Sequence, residues 1–167
     1  MSHPLLEALG APAPAPPEAD KLKLFGQFVG VWDFDLIDFA ADGTRSAGSG
    51  EWIWGWILQG RAVEDVFILH TGKRREYGAT IRFYDAARDH WRVCWVAPVS
   101  GRFRTFVARA VGDEIVLEGV DDAGQPMRWV FSEITPDSYR WRSIVADDGS
   151  EGWRLAIEMR VRRRPHS

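Results

Sequence analysis

Residues 138–146 read Ser138-Tyr139-Arg140-Trp141-Arg142-Ser143-Ile144-Val145-Ala146, with large apolar groups alternating against charged ones. Tyr139, Trp141 and Val145 fall on one side of an extended chain, Arg140 and Arg142 on the other. A period of two marks a strand with one buried face. The pattern recurs. Trp91, Val93 and Trp95 oppose His90, Arg92 and Cys94; Met127, Trp129 and Phe131 oppose Arg128; Trp52, Trp54 and Trp56 oppose Glu51, Ile53 and Gly55. Phe103, Thr105 and Val107, a row extended by Arg109, oppose Arg102 and Arg104. Near the C-terminus Trp153, Leu155, Ile157, Met159 and Val161 oppose Arg154, Glu158, Arg160 and Arg162. Odd-numbered positions therefore read as the buried wall across much of the sheet.

Ten strands are expected, at about 31–39, 46–58, 61–70, 76–85, 90–98, 101–110, 113–120, 126–134, 138–146 and 152–162. Turn residues separate them: Asp42-Gly43, Gly60, Thr71-Gly72-Lys73, Gly112-Asp113, Pro136-Asp137 and Asp147-Asp148-Gly149 among others. Connections this short favour antiparallel neighbours, and a long meander hides its edges by closing. The expected fold is all-β: a closed antiparallel up-and-down barrel of about ten strands with a short N-terminal helix. Proline and acidic residues at 17–20 followed by Leu22, Leu24, Phe25 and Phe28 predict that helix over 18–28, placed to plug one end. Residues 1–17, rich in alanine and proline with a helical turn at Leu5 to Leu9, read as a flexible arm ahead of one barrel domain, 18–167.

A net charge of -3 and a pI near 5.8 argue against general affinity for nucleic acid or an anionic membrane. The run Arg160, Arg162, Arg163, Arg164 reads as a solvated strand end. No stretch approaches a membrane-spanning helix or a signal peptide. Cys94 is the single cysteine, so no intramolecular disulfide forms and a cytoplasmic location is expected. It reads as a small packed side chain. Four histidines exist; His3 and His166 lie near the chain ends, and His70 and His90 at strand ends lack ligand spacing. His70 is the sole candidate for a haem axial ligand. Residues 46–50 read Ser-Ala-Gly-Ser-Gly and not Gly-x-Ser-x-Gly. Neither metal nor cofactor is expected.

Several stretches carry a resemblance: Gly30-Val31-Trp32, Gly60-Arg61-Ala62-Val63-Glu64-Asp65-Val66-Phe67, Tyr77-Gly78-Ala79-Thr80-Ile81-Arg82-Phe83-Tyr84-Asp85, Trp91-Arg92-Val93-Cys94-Trp95, Arg128-Trp129-Val130-Phe131 and Tyr139-Arg140-Trp141-Arg142. They resemble a group of bacterial proteins in the lipocalin-like, or calycin, superfamily, over residues 24 to 163. The resemblance implies a closed antiparallel barrel around a small-molecule cavity. It also implies that Trp32, in Gly-x-Trp, closes the barrel base. It brings no assigned activity.

The polar residues on the apolar wall carry the chemistry. Asp65 lies between Val63 and Phe67, Thr105 between Phe103 and Val107, and Ser143 beyond Tyr139 and Trp141. A buried carboxylate is expected to be paired. An Asp65–Arg109 pair is one arrangement, serving either as a core ion pair or as part of a site. In 76–85 apolar parity turns Tyr77, Ala79, Ile81 and Phe83 inward and Arg82 outward; a bulge after Gly78 would bring Arg82 and Tyr84 into the lumen. The functional expectation is binding of a small apolar or aromatic molecule, with an anionic group as an option. Its candidate contacts are Trp54, Trp56, Phe67, Arg82, Trp95, Thr105, Trp129, Tyr139, Trp141 and Ser143. The alternative is a cofactor-free lyase, isomerase or cyclase, with Asp65 or Glu64 as base, Tyr84 or Tyr139 as acid and Arg82 or Arg109 holding an anion; Asp65, Tyr84 and Arg109 are its first candidates. Both a monomer and a homodimer fit.

Overall fold

The computed structural model describes residues 3–72, 75–147 and 152–165; His166 and parts of the turns at Thr71-Gly72-Lys73 and Asp147-Asp148-Gly149 lie outside them. The chain starts with helix α1 (Pro4–Leu9) and strand β1 (Gly10–Ala11), then a 3₁₀ turn (Pro16–Glu18) leading into helix α2 (Ala19–Gly26). Ten longer strands follow: β2 (Gly30–Phe39), β3 (Arg45–Ile57), β4 (Ala62–Thr71), β5 (Glu76–Asp85), β6 (His90–Ala97), β7 (Arg102–Val111), β8 (Glu114–Val120), β9 (Pro126–Ser132), β10 (Ser138–Ala146) and β11 (Trp153–Arg163). Each pairs antiparallel with the next, and β11 returns to β2, so the meander closes. The arm at 1–17 contributes β1, which pairs with the end of β3, and Ala15, which is buried and donates its N–H to Gly60 O.

Residues directly opposite across a ladder share a face, so the register carries the inward set around the barrel. Trp54, Asp65, Thr80, Trp95 and Arg104 form one inward row, each opposite the next. Val63, Arg82, Val93 and Phe106 form the row beside it.

Three expected parities are corrected. On β5 the even positions face in: Arg82 is 1% exposed, while Tyr77, Ile81 and Phe83 face out at 56%, 40% and 44%. No bulge is needed, because the β4–β5 register runs unbroken and sets inward Asp65 against Thr80. On β7 Phe106 and Ala108 are buried; Phe103, Thr105 and Arg109 are exposed, since Thr105 opposes the outward Cys94. On β11 a register shift at Ser143/Ile144 turns the chain over, so Ile157 stays inward but Trp153 lies outside, under the Arg128 guanidinium at 4.4 Å.

One end of the barrel is solid. Leu22, Phe25 and Phe28 are fully buried there, each gaining about 1.5–3 kcal/mol from leaving water. Phe25 packs edge-on against Trp91 at 4.9 Å and Phe28 against Tyr139 at 4.8 Å. Trp32, buried, donates its indole N–H to Phe28 O at 2.6 Å. Arg163 covers that indole at 4.0 Å and donates to Val29 O and Gln27 O, orphan carbonyls beyond the helix. Gly30, at φ +135, is required here: a Cβ would lie 2.7 Å from the Arg163 guanidinium.

Candidate functional site

The other half of the barrel holds the pocket. Its floor is Trp52 and Thr80; its walls are Leu36, Phe67, Leu69, Trp95, Trp129, Trp141, Ser143, Ile157 and Met159; Glu76, Arg102 and Arg104 stand at its mouth. The cavity measures about 70 Å³. Ring-to-ring contacts fix the walls: Trp95–Trp129 at 5.5 Å, Trp129–Trp141 at 5.3 Å, both edge-to-face. Trp95 reaches its place because Gly78 lacks a side chain; a Cβ there would come within 3.0 Å of the indole nitrogen and 2.9 Å of Val96 O. Among the described residues the buried indole N–H of Trp141 lacks a hydrogen-bond partner, and that of Trp52 is turned toward Asp65 beneath the floor. An unpaired donor beside a cavity favours an occupant that brings an acceptor.

Arginines frame the entrance. Arg104 lies 5.4 Å over the Trp95 ring and bonds Asp122 at 3.1 Å; Arg102 reaches the same carboxylate at 3.3 Å. Asp122 sits in the β8–β9 turn and is half exposed. Two guanidiniums thus share one solvent-screened carboxylate; with Glu76 the charges around the mouth balance.

Beneath the floor lies a buried polar knot. Arg82 Nη1 donates to Asp65 Oδ2, and Thr80 Oγ1 donates to Oδ1 at 3.2 Å. The guanidinium stacks 4.2 Å from Trp54 and 5.2 Å from Phe25 of α2. Burial pushes the Asp65 carboxyl up, against the pull of Arg82 and the Thr80 bond. The Trp52 N–H leans toward Asp65 and favours its charge without reaching hydrogen-bond geometry. Tyr139 Oη is buried, and among the described residues only the Trp54 N–H approaches it, short of hydrogen-bond geometry; burial first, then the Asp65 charge, hold the phenol well above its usual value.

The candidates read from the sequence therefore separate. Phe67, Trp95, Trp129, Trp141 and Ser143 line the cavity together. Trp54, Asp65, Arg82 and Tyr139 lie deeper, in the packed half. Thr105 and Arg109 face outward, so the Asp65–Arg109 pair does not form and Arg82 takes that place. Trp56, Tyr84 and Arg109 border a separate open groove of about 890 Å³ at the α2 end. There Tyr84 donates to Asp89, and Arg109 meets His90 Nδ1 at 3.2 Å. His70 faces outward, 3.7 Å from Glu51, away from the lumen. Cys94 is on the outer face, and burial pushes its thiol up, toward lower reactivity. Among the described residues no group of three His, Cys, Asp or Glu is placed to hold a metal ion, and no helix is long and apolar enough to cross a membrane.

Sequence reasoning missed Arg102, Arg104, Thr80 and Trp52. The first two were hidden by the reversed parity of β7. Thr80 could have been found from the pairing of Asp65, which needed a donor on the adjacent strand.

No family model matches the chain, and no curated protein does. Several solved structures share its shape. The S-type phycobiliprotein lyase CPES from Guillardia theta superposes with a TM-score of 0.59 at 10% identity, covering 87% of this chain and 93% of that one. Rv2717c from M. tuberculosis gives 0.64 at 12% identity, covering 91% and 99%. Likeness at this identity speaks to architecture. The chain is a closed antiparallel barrel of ten strands with one short extra strand, plugged at one end by α2.

Proposed function

We propose that this barrel binds a small aromatic or apolar molecule bearing an anionic group. The ring enters between Trp95, Trp129 and Trp141, and the anion rests on Arg102 and Arg104. The observation that carries the reading is a blind, tryptophan-walled pocket bordered by Arg102 and Arg104, which share the exposed Asp122 carboxylate, with Glu76 beside them. Drug-sized ligands occupy roughly 300–1,000 Å³, so the 70 Å³ cavity restricts the guest to a single small ring. The unpaired N–H of Trp141, a wall residue, favours a guest that brings an acceptor. A single cysteine supports a cytoplasmic setting.

A lyase operates on a similar barrel in CPES, and acid–base chemistry is the second reading. Support for it is weaker in the geometry. Both Asp65 oxygens already accept hydrogen bonds, and Thr80 stands between Asp65 and the cavity. Titrating tryptophan fluorescence with aromatic carboxylates, fatty acids and retinoids tests the binding reading. Saturable quenching with a matching rise in melting temperature is expected. Absence of both for every member of the panel refutes it.

A further inference from the structure

The outside of the barrel has two unlike halves. On β8 to β11 and β2 the outward positions carry paired charges: Arg128 with Glu118, Arg142 with Glu114, Arg140 with Glu158, Arg162 with Asp35. On β3 to β7 they are largely apolar. Ile53, Val66, Ala79, Val96 and Phe103 make one outward row, each opposite the next. Tyr77, Ile81 and Phe83 extend it along β5. These strands include the two whose alternation points the wrong way, because their solvent side is as apolar as their core side.

The exposed parts of Ile53, Tyr77, Ile81, Phe83, Val96 and Phe103 amount to about 600 Å², the upper end for a patch on a monomer. A stable dimer hides roughly 800 Å² per partner, so this patch would supply most of such an interface. Two charges sit inside it. Glu64 lies opposite Ile81 on β4, and Arg92 lies opposite Phe83 on β6. Strand β5 separates them by two ladder spacings, roughly 10 Å. Among the described residues neither is in an ion pair; Arg92 only overhangs Phe83 at 6.0 Å. Burial and the neighbouring Asp65 push the Glu64 carboxyl up, so a cation brought to it would be welcome.

We propose that a second copy of this chain covers the outer face of β3 to β7, in a two-fold dimer where each Glu64 meets the partner's Arg92. A two-fold axis running along β5 lays β4 of one protomer over β6 of the other, which satisfies both charges twice. The occupant is self-complementary because the patch holds one charge of each sign, flanking a shared apolar strand.

Sedimentation velocity and light scattering across micromolar concentrations test this. The wild-type chain is expected to be a dimer, and Ile81→Glu a folded monomer with an unchanged near-ultraviolet spectrum. Glu64→Arg and Arg92→Glu each weaken association at least tenfold. The double variant recovers it, and mixing the two single variants yields a heterodimer. A wild-type chain that stays monomeric at about 100 µM, where a dimer of micromolar Kd would be mostly assembled, overturns the proposal, whether or not it binds vesicles or another protein. So does a dimer indifferent to both charge reversals.

Discussion

Arg82 on β5 and Asp65 on β4 are diagonal cross-strand neighbours that form an ion pair with 1% and 0% of their side chains exposed. The pair is enclosed by Trp54 and by Phe25 of the plugging helix. It therefore ties the wall to the plug.

Asp65→Asn leaves the Arg82 charge buried without a counterion. A loss of about 3–5 kcal/mol is expected, read from urea unfolding. Replacing both partners together, Asp65→Leu with Arg82→Met, restores most of it, because no buried charge remains. An Asp65→Asn chain as stable as wild type would show that the pair does not hold the fold.

Arg104→Gln separates affinity from stability. Arg104 pairs with a half-exposed aspartate, and screened pairs contribute at most about 1 kcal/mol to folding. Affinity for an aromatic carboxylate should fall about tenfold, the cost of one charge-assisted contact. Affinity for the methyl ester should not change. Equal losses for acid and ester would remove the anion from the proposal.

Gly78→Ala tests whether Trp95 forms the wall. The added methyl meets a backbone oxygen at 2.9 Å and the indole nitrogen at 3.0 Å, so Trp95 must shift. Overpacking of this kind costs about 1–3 kcal/mol. Ligand-dependent quenching should disappear with it. Retained quenching would place the ligand elsewhere.

Tyr139 governs the alkaline side. Burial and the nearby Asp65 charge hold its phenol well above the ordinary 10.0. The unfolded chain releases that proton near 10 while the folded chain keeps it. This contribution to stability is therefore complete below pH 10 and is lost as pH rises through the folded value. Urea midpoints for wild type should fall further between pH 8 and pH 11 than those of Tyr139→Phe. At pH 8 the variant should be at least as stable, having lost an unbonded buried hydroxyl. Parallel pH profiles for the two chains would contradict this.

The closed barrel was legible because turn chemistry and period-two patterning agree along β2 to β11. Inward placement was legible wherever outward positions are charged, as with Arg128, Arg140 and Arg142 on β9 and β10. It failed on β5 and β7, where Tyr77, Ile81, Phe83 and Phe103 put apolar groups on the solvent side. There only cross-strand register decides the face, and register depends on long-range pairing. The shift at Ser143/Ile144 is equally silent, since every residue around Trp153 would alternate the same way without it. The inward rings of β6, β9 and β10 were therefore legible, while the inward arginines of β7 were not.

A vessel corked by Phe25, Phe28 and Trp32 has no back door. Whatever enters past Arg102 and Arg104 must leave by the same route, ruling out through-traffic. Two molecules cannot pass one another inside, so exchange of one guest for another waits on complete departure. Turnover of bound cargo should therefore be independent of how much competitor is added, with a rate set by escape alone.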